Sequence, residues 1–203
     1  SPRPVASCIT LLPPAPAPAA VPMPRAFIAI HIEPPAALLK TLHAIRALDG
    51  PIKTVEDHSV HSTLAFLVDT DQSQFPDLIA AMRQACEGCG PFTMELKGLG
   101  AFPRIERPSV AWVGVEQEEP LRVIVNRLNP LIDALNFGGD HRPWNPHLTL
   151  ARIKAKPPGE LLDMLRDRRD TPFGSVAVTQ INLMKSTLTP KGPIYDVIHR
   201  VAL

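Results

Sequence analysis

The sequence predicts an α+β protein of two pseudo-symmetric lobes, each built from a duplicated strand-helix-strand-helix-strand unit, with sheets lining a central cleft and helices outside. Three observations predict it. Apolar runs switch repeatedly between the period of a strand and the period of a helix. The order strand, helix, strand, helix, strand occurs twice. A short motif, His61-Ser62-Thr63-Leu64, returns 86 residues later as His147-Leu148-Thr149-Leu150. The flanks keep step, with 85 residues from Phe27 to Trp112 and 81 from Phe92 to Phe173. The repeats run from about 25 to 105 and from 108 to 190, with the lobes intertwined in sequence within one domain, 25–203.

The first 24 residues stand apart. Ser1 to Pro24 carries eight prolines among alanines and no helical or strand period, which predicts a flexible, polyproline-like tail. Its prolines rule out a membrane span and make a poor signal peptide. Met23 stands as an alternative start.

From Arg25 the chain becomes regular. Ala26 to Ile32 reads as a buried strand, and Pro34-Pro35 opens a helix with Leu38, Leu42, Ile45 and Leu48 at helical spacing. Asp49-Gly50-Pro51 ends it, and a loop leads to the first motif strand, His61 to Val68. A helix from Phe75 to about Cys89 follows, carrying Leu78, Ile79, Met82 and Cys86, then a strand from Phe92 to Phe102. The second half repeats the order. Val110 to Val115 reads as a strand, Glu119 to Leu135 as a helix carrying Leu121, Ile124, Val125, Leu128 and Ile132, with Gly138-Gly139 as its terminator. The second motif strand is His147 to Ile153, Pro158 to Asp170 a helix, Phe173 to Leu188 one long strand, and Ile194 to Val201 a final strand.

Composition sets bounds on function. At 203 residues and 45% hydrophobic, the chain can bury a sizeable core, which excludes disorder throughout. Twenty-one Lys+Arg against twenty Asp+Glu leave a charge of +1, so no global field holds it on nucleic acid or an anionic membrane. An anionic substrate must be held locally. Cys8 lies in the tail, and Cys86 and Cys89 form a single Cys-x-x-Cys without the second pair a zinc finger needs. Reduced structural thiols and a cytoplasmic location are expected.

The chemistry sits in the two motifs. On a strand, residues i and i+2 share a face, so each histidine lies about 7 Å from its threonine along that face. An imidazole titrates near neutrality and a hydroxyl can donate to an oxyanion, a combination suited to moving protons while negative charge is held. Two such pairs facing one another would set an acid and a base on opposite sides of one phosphorus atom. Duplication is what lifts His61 and His147 above the structural reading that a lone strand histidine carries. His31, His43, His58, His141 and His199 keep that structural reading, with a metal cluster of His58 and His141 as the weaker alternative for that pair.

Those motifs, the extended run Arg142-Pro-Trp-Asn-Pro-His-Leu-Thr-Leu-Ala-Arg152, the segment Gly98-Leu-Gly-Ala-Phe-Pro103, and Lys185-Ser-Thr-Leu followed by Gly192-Pro-Ile-Tyr195 resemble the 2H phosphoesterase superfamily. Within it the sequence is most similar to RNA 2′,3′-cyclic phosphodiesterases, also called 2′-5′ RNA ligases. The resemblance spans Arg25 to Leu203. It implies a bilobal fold, no metal or other cofactor, and hydrolysis of a 2′,3′-cyclic phosphate to a 2′-phosphomonoester, with reversible 2′-5′ ligation as a related reaction. It implies His61 as proton donor, His147 as proton acceptor, and Thr63 and Thr149 on the phosphate oxygens. RNA ends or nucleoside 2′,3′-cyclic phosphates are the implied partners, and a monomer that binds no membrane is expected. After Phe66-Leu67 this chain has Val68 where relatives often place glycine.

Several residues stay open between function and packing. Arg152, a phosphate-binding candidate by resemblance, lies five residues after His147; strict alternation puts it on the opposite face, and a bulge would return it to the cleft. Phe66 has the same parity and reads as core. Trp144 and Tyr195 suit either base stacking or packing. Lys154, Lys156, Arg104 and Arg107 form either a rim for an RNA backbone or a solvated face. Two other functions remain open: a module that binds nucleotides or RNA ends without turnover, and an enzyme for another ester, such as an ADP-ribose cyclic phosphate or a 2′-5′ oligoadenylate.

Overall fold

The computed structural model describes residues 25–67, 70–137 and 143–203. The proline-rich tail, Val68, the Gly138-Gly139 terminator, His141 and Arg142 lie outside the described residues. Nine strands and four helices follow in the order β1 (Arg25–His31), α1 (Ala36–Arg46), β2 (Ile52–Thr54), β3 (His61–Leu67), α2 (Phe75–Cys86), β4 (Phe92–Phe102), β5 (Val110–Glu116), α3 (Glu119–Ala134), β6 (His147–Ile153), α4 (Gly159–Asp167), β7 (Pro172–Val178), β8 (Gln180–Thr189) and β9 (Gly192–Ala202), among the described residues.

Two antiparallel sheets result. The first has the order β3-β1-β8-β9 and the second β2-β6-β5-β4-β7. Each motif strand pairs with the first strand of its own repeat, β3 with β1 and β6 with β5. The third strand of each repeat leaves for the other sheet: β4 pairs with β5, and β8 with β1. Helices cross over too. The first sheet is covered by α2 and α3, the second by α1 and α4. Each helix pair therefore draws on both repeats.

The apolar stripes read from sequence face these sheets. Leu38, Leu42 and Ile45 of α1 are fully buried, as are Leu121, Ile124, Leu128 and, to within a percent or so, Val125 and Ile132 of α3. Each such side chain contributes about 1.5–3 kcal/mol on leaving water, which is what fixes these helices. The buried residues of both sheets merge into one core cluster.

Three expectations need correction. The run Phe173 to Leu188 is not one strand: it breaks at Thr179 into β7, which pairs with β4, and β8, which pairs with β1 in the other sheet. Continuous apolar character does not say which neighbour each half will find. The loop before the first motif contains β2, an edge strand too short for a period to show, paired with β6. The fourth helix stops at Asp167, because the next residues dock on a bulge in β4: Leu99 N–H donates to Arg168 O (2.9 Å) and Gly98 N–H to Thr171 O (2.8 Å). Gly98, at φ +79°, admits this approach, since a Cβ there would stand 2.3 Å from Arg169 O.

Candidate active site

The two motif strands are built alike. In β3, Ser62 and Leu64 are buried while His61 and Thr63 are half-buried on the other face; in β6, Leu148 and Leu150 alternate with His147 and Thr149 in the same way. Each histidine shares a face with its threonine, as the period of two requires. β3 and β6 are neighbours, and the Trp144 indole N–H, just before β6, donates to Thr63 O at 3.2 Å, tying one strand to the other.

Both strands carry a bulge directly after the threonine. Ile28 and Ala29 are consecutive in β1 yet sit opposite Ala65 and Thr63, so Leu64 is an extra residue; Ala111 and Trp112 sit opposite Ala151 and Thr149, so Leu150 is. The extra residue resets the alternation. Arg152 thereby joins His147 and Thr149 on the cleft face, and Phe66 joins His61 and Thr63. Phe66 is 53% exposed, so its reading as core is overturned by the same bulge. Register also makes Val110, opposite Arg152, the counterpart of Phe27, opposite Phe66, in place of the Trp112 that spacing suggested.

Each imidazole is locked by the carbonyl two residues before it. His61 Nδ1 is 2.8 Å from Ser59 O, and His147 Nδ1 is 2.7 Å from Asn145 O. A carbonyl only accepts, so Nδ1 carries the hydrogen and, in the neutral ring, Nε2 is left bare to take a proton. Two aromatic rings support each histidine. Phe27 (5.4 Å between centroids) and Tyr195 (5.3 Å, edge-on) flank His61, whereas Phe102 (5.0 Å, edge-on) and Trp112 (6.3 Å) flank His147. Burial holds both histidines below the ordinary value of 6.5, against the opposing pull of the carbonyls. For His61, positive charge on His31 and Arg152 lowers it further. His31 stands opposite His61 in register and is exposed, so it lies on this face; Gly114 holds that place opposite His147.

The other candidates sort by contact. Trp144 is packed, its ring beneath Arg122 at 5.5 Å, and Tyr195 lies against Phe27 and His61. His43 pairs with Asp57 (2.6 Å) and His199 lies 3.4 Å from the Arg83 guanidinium, both outside the motif strands. His58 sits exposed on a 3₁₀ turn, and no group of three or more His, Cys, Asp or Glu side chains forms a metal site among the described residues. Cys86 is buried, which pushes its thiol up to about 11, and both Cys86 and Cys89 are unbridged. Arg104 and Arg107 lie in the β4–β5 hairpin, whose end meets Arg152 through Val110. Sequence reasoning missed Lys53. Register sets it opposite Arg152 on the cleft face, a position that no motif marks because β2 itself was read as loop.

A family model for the 2′-5′ RNA ligase superfamily matches residues 34–189. The chain belongs to that superfamily. Within the 2′-5′ RNA ligase superfamily, the RNA 2′,3′-cyclic phosphodiesterase of Aeropyrum pernix is 38% identical over 156 residues, covering 74% of this chain and 86% of that protein. The protein of the same name from Archaeoglobus fulgidus is 32% identical over 176 residues, covering 84% and 96%. Among solved structures, TT0787 of Thermus thermophilus superposes with a TM-score of 0.72 at 31% identity, covering 88% of this chain and 97% of its own. LigT of E. coli complexed with 3′-AMP gives 0.67 at 26% identity, covering 89% and 98%. The α+β architecture is thus shared with 2H phosphoesterases. Among the described residues no helix is long and apolar enough to cross a membrane.

Proposed function

We propose that this protein is an RNA 2′,3′-cyclic phosphodiesterase that opens a terminal 2′,3′-cyclic phosphate to a 2′-phosphomonoester with His61 and His147 as its acid and base. The observation that carries the reading is the matched pair of imidazoles, each with Nδ1 held by a carbonyl and Nε2 without a hydrogen bond among the described residues. His147 Nε2 takes a proton from water as its oxygen bonds to phosphorus. The bond from phosphorus to the ribose 3′ oxygen breaks, and His61 Nε2–H delivers its proton to that oxygen. Each positioned transfer contributes about 10²- to 10⁴-fold. Thr63, Thr149 and Arg152 donate to the non-bridging oxygens, where charge gathers.

The roles require a charged His61 and a neutral His147. Burial supports the neutral base directly. It works against the acid, so the bound phosphate anion must raise His61 as it arrives, and substrate binding and proton uptake are coupled. The enzyme acts as a monomer without a metal, in the cytoplasm, where its thiols stay reduced. The curated relatives named above support the substrate.

The test is to incubate the protein with a nucleoside 2′,3′-cyclic phosphate and a chelator and to identify the product isomer. A 2′-phosphate from wild type, lost in His61→Ala and in His147→Ala, is expected. Loss of activity on chelation would overturn the metal-free mechanism. Binding without turnover would favour a nucleotide-binding module, and turnover only of another cyclic ester or an oligoadenylate would move the substrate.

A further inference from the structure

Lys53 lies in the cleft without a part in the two-histidine chemistry. Its neighbours settle its direction: on β2, Thr54 turns toward α1, its hydroxyl accepting from Arg46 Nε at 3.0 Å, so Lys53 occupies the opposite, cleft face. There it is the cross-strand partner of Arg152, a placement that brings the two side chains to about 4.5–5.5 Å at Cβ. The ammonium is held from the other sheet. Lys53 Nζ donates to Lys191 O at 2.8 Å in the β8–β9 turn, beside Gly192. An ammonium has three donors, and this bond uses one.

Among the described residues neither Lys53 nor Arg152 is paired with a carboxylate. Lys53 and Arg152 are adjacent, exposed cations on the face that carries His147 and Thr149, where one anionic chain can meet both. A single cyclic phosphate at the histidines engages Arg152 alone. Resting on the phosphodiesterase reading above, we infer that Lys53 is a specificity-determining residue that seats a second phosphate, one nucleotide inward from the cyclic end. Arg104 and Arg107 on the neighbouring hairpin extend the positive face beyond it.

The alternative role for Lys53 is a clasp holding the β8–β9 turn, and substrates of different length separate the two. kcat/KM is measured for wild type, Lys53→Met and Lys53→Arg on a nucleoside 2′,3′-cyclic phosphate and on the dinucleotide ending in the same group, over a range of KCl. Wild type should prefer the dinucleotide. Lys53→Met should lose about ten-fold more on the dinucleotide than on the mononucleoside, as befits a charge-assisted contact, and Lys53→Arg should keep most of the preference. The slope of log kcat/KM against log salt for the dinucleotide should fall by about 0.7 in Lys53→Met. Equal losses on both compounds would leave only the clasp, and no loss would overturn both roles. Failure of wild type to turn over either compound would instead sink the phosphodiesterase reading; the same preference and the same loss are then read in binding of the two compounds.

Discussion

The His61 and His147 sites have the same internal construction and different surroundings. Each imidazole is held at Nδ1 by a carbonyl two residues earlier, each is flanked by two aromatic rings, and each strand is bulged at the same point. What differs is the set of side chains that share the face: His31 and Phe66 around His61, Gly114 and Arg152 at the matching places around His147. The duplicated motif presents two histidines of equivalent build. The flanking residues are where the two can be given opposite jobs, since a chemical step with an acid and a base needs them unequal.

The largest effect should come from removing what is equal. His61→Ala and His147→Ala are each expected to cost at least about 10²- to 10⁴-fold in single-turnover rate. Near-wild-type activity in either would break the comparison at its root. The next effect is unequal by design: Arg152→Ala should lower kcat/KM by about 10²-fold, as removal of an oxyanion donor does, whereas Phe66→Ala at the matching place should act mainly on KM. Equal changes would mean that the face, not the charge, matters.

The two motifs also differ inside. Leu148 is fully buried and Ser62, its counterpart, nearly so. Leu148→Ala should cost about 2–5 kcal/mol of stability in denaturant unfolding. Ser62→Ala should cost under about 1 kcal/mol, because it leaves no cavity. The smallest effect concerns pH. His61 is depressed first by burial and then by positive charge on His31 and Arg152. Replacing His31 by Gln removes one of those charges, so His61 should hold its proton to higher pH, and the falling limb of kcat/KM should move up. The rising limb, which reports His147 as the proposed base, should stay where it is. Histidine titration by NMR in wild type and His31→Gln checks the assignment; movement of both limbs together would show that the sites are not separately tuned.

Much of this was legible in one sequence. The strand period put His61 with Thr63 and His147 with Thr149 on one face each, and repetition singled out both pairs. Alternation then failed at Phe66 and Arg152, where the side of the strand depends on Leu64 and Leu150 being passed over by a partner strand. That is a non-local fact, visible only once β1 and β5 are in place. Phe173 to Leu188 failed for a related reason, because either half of an apolar run can be claimed by a different sheet. Lys53 was hidden by size: three residues of edge strand have no period to read.

The exchange of third strands has a consequence for the order in which the protein can be made. β1 is the inner strand between β3 and β8, and β8 begins only at Gln180, with four helices and six strands among the described residues lying between it and β1. During synthesis from the N-terminus, the first sheet has β3 long before its centre is enclosed, and one edge of Phe27, Ile28 and Ala29 waits for a partner until β8 has emerged. An apolar edge left open for that long is a template for the wrong strand. β8 and β9, the latter bringing Tyr195 against His61, are therefore what closes the edge on which that hazard rests.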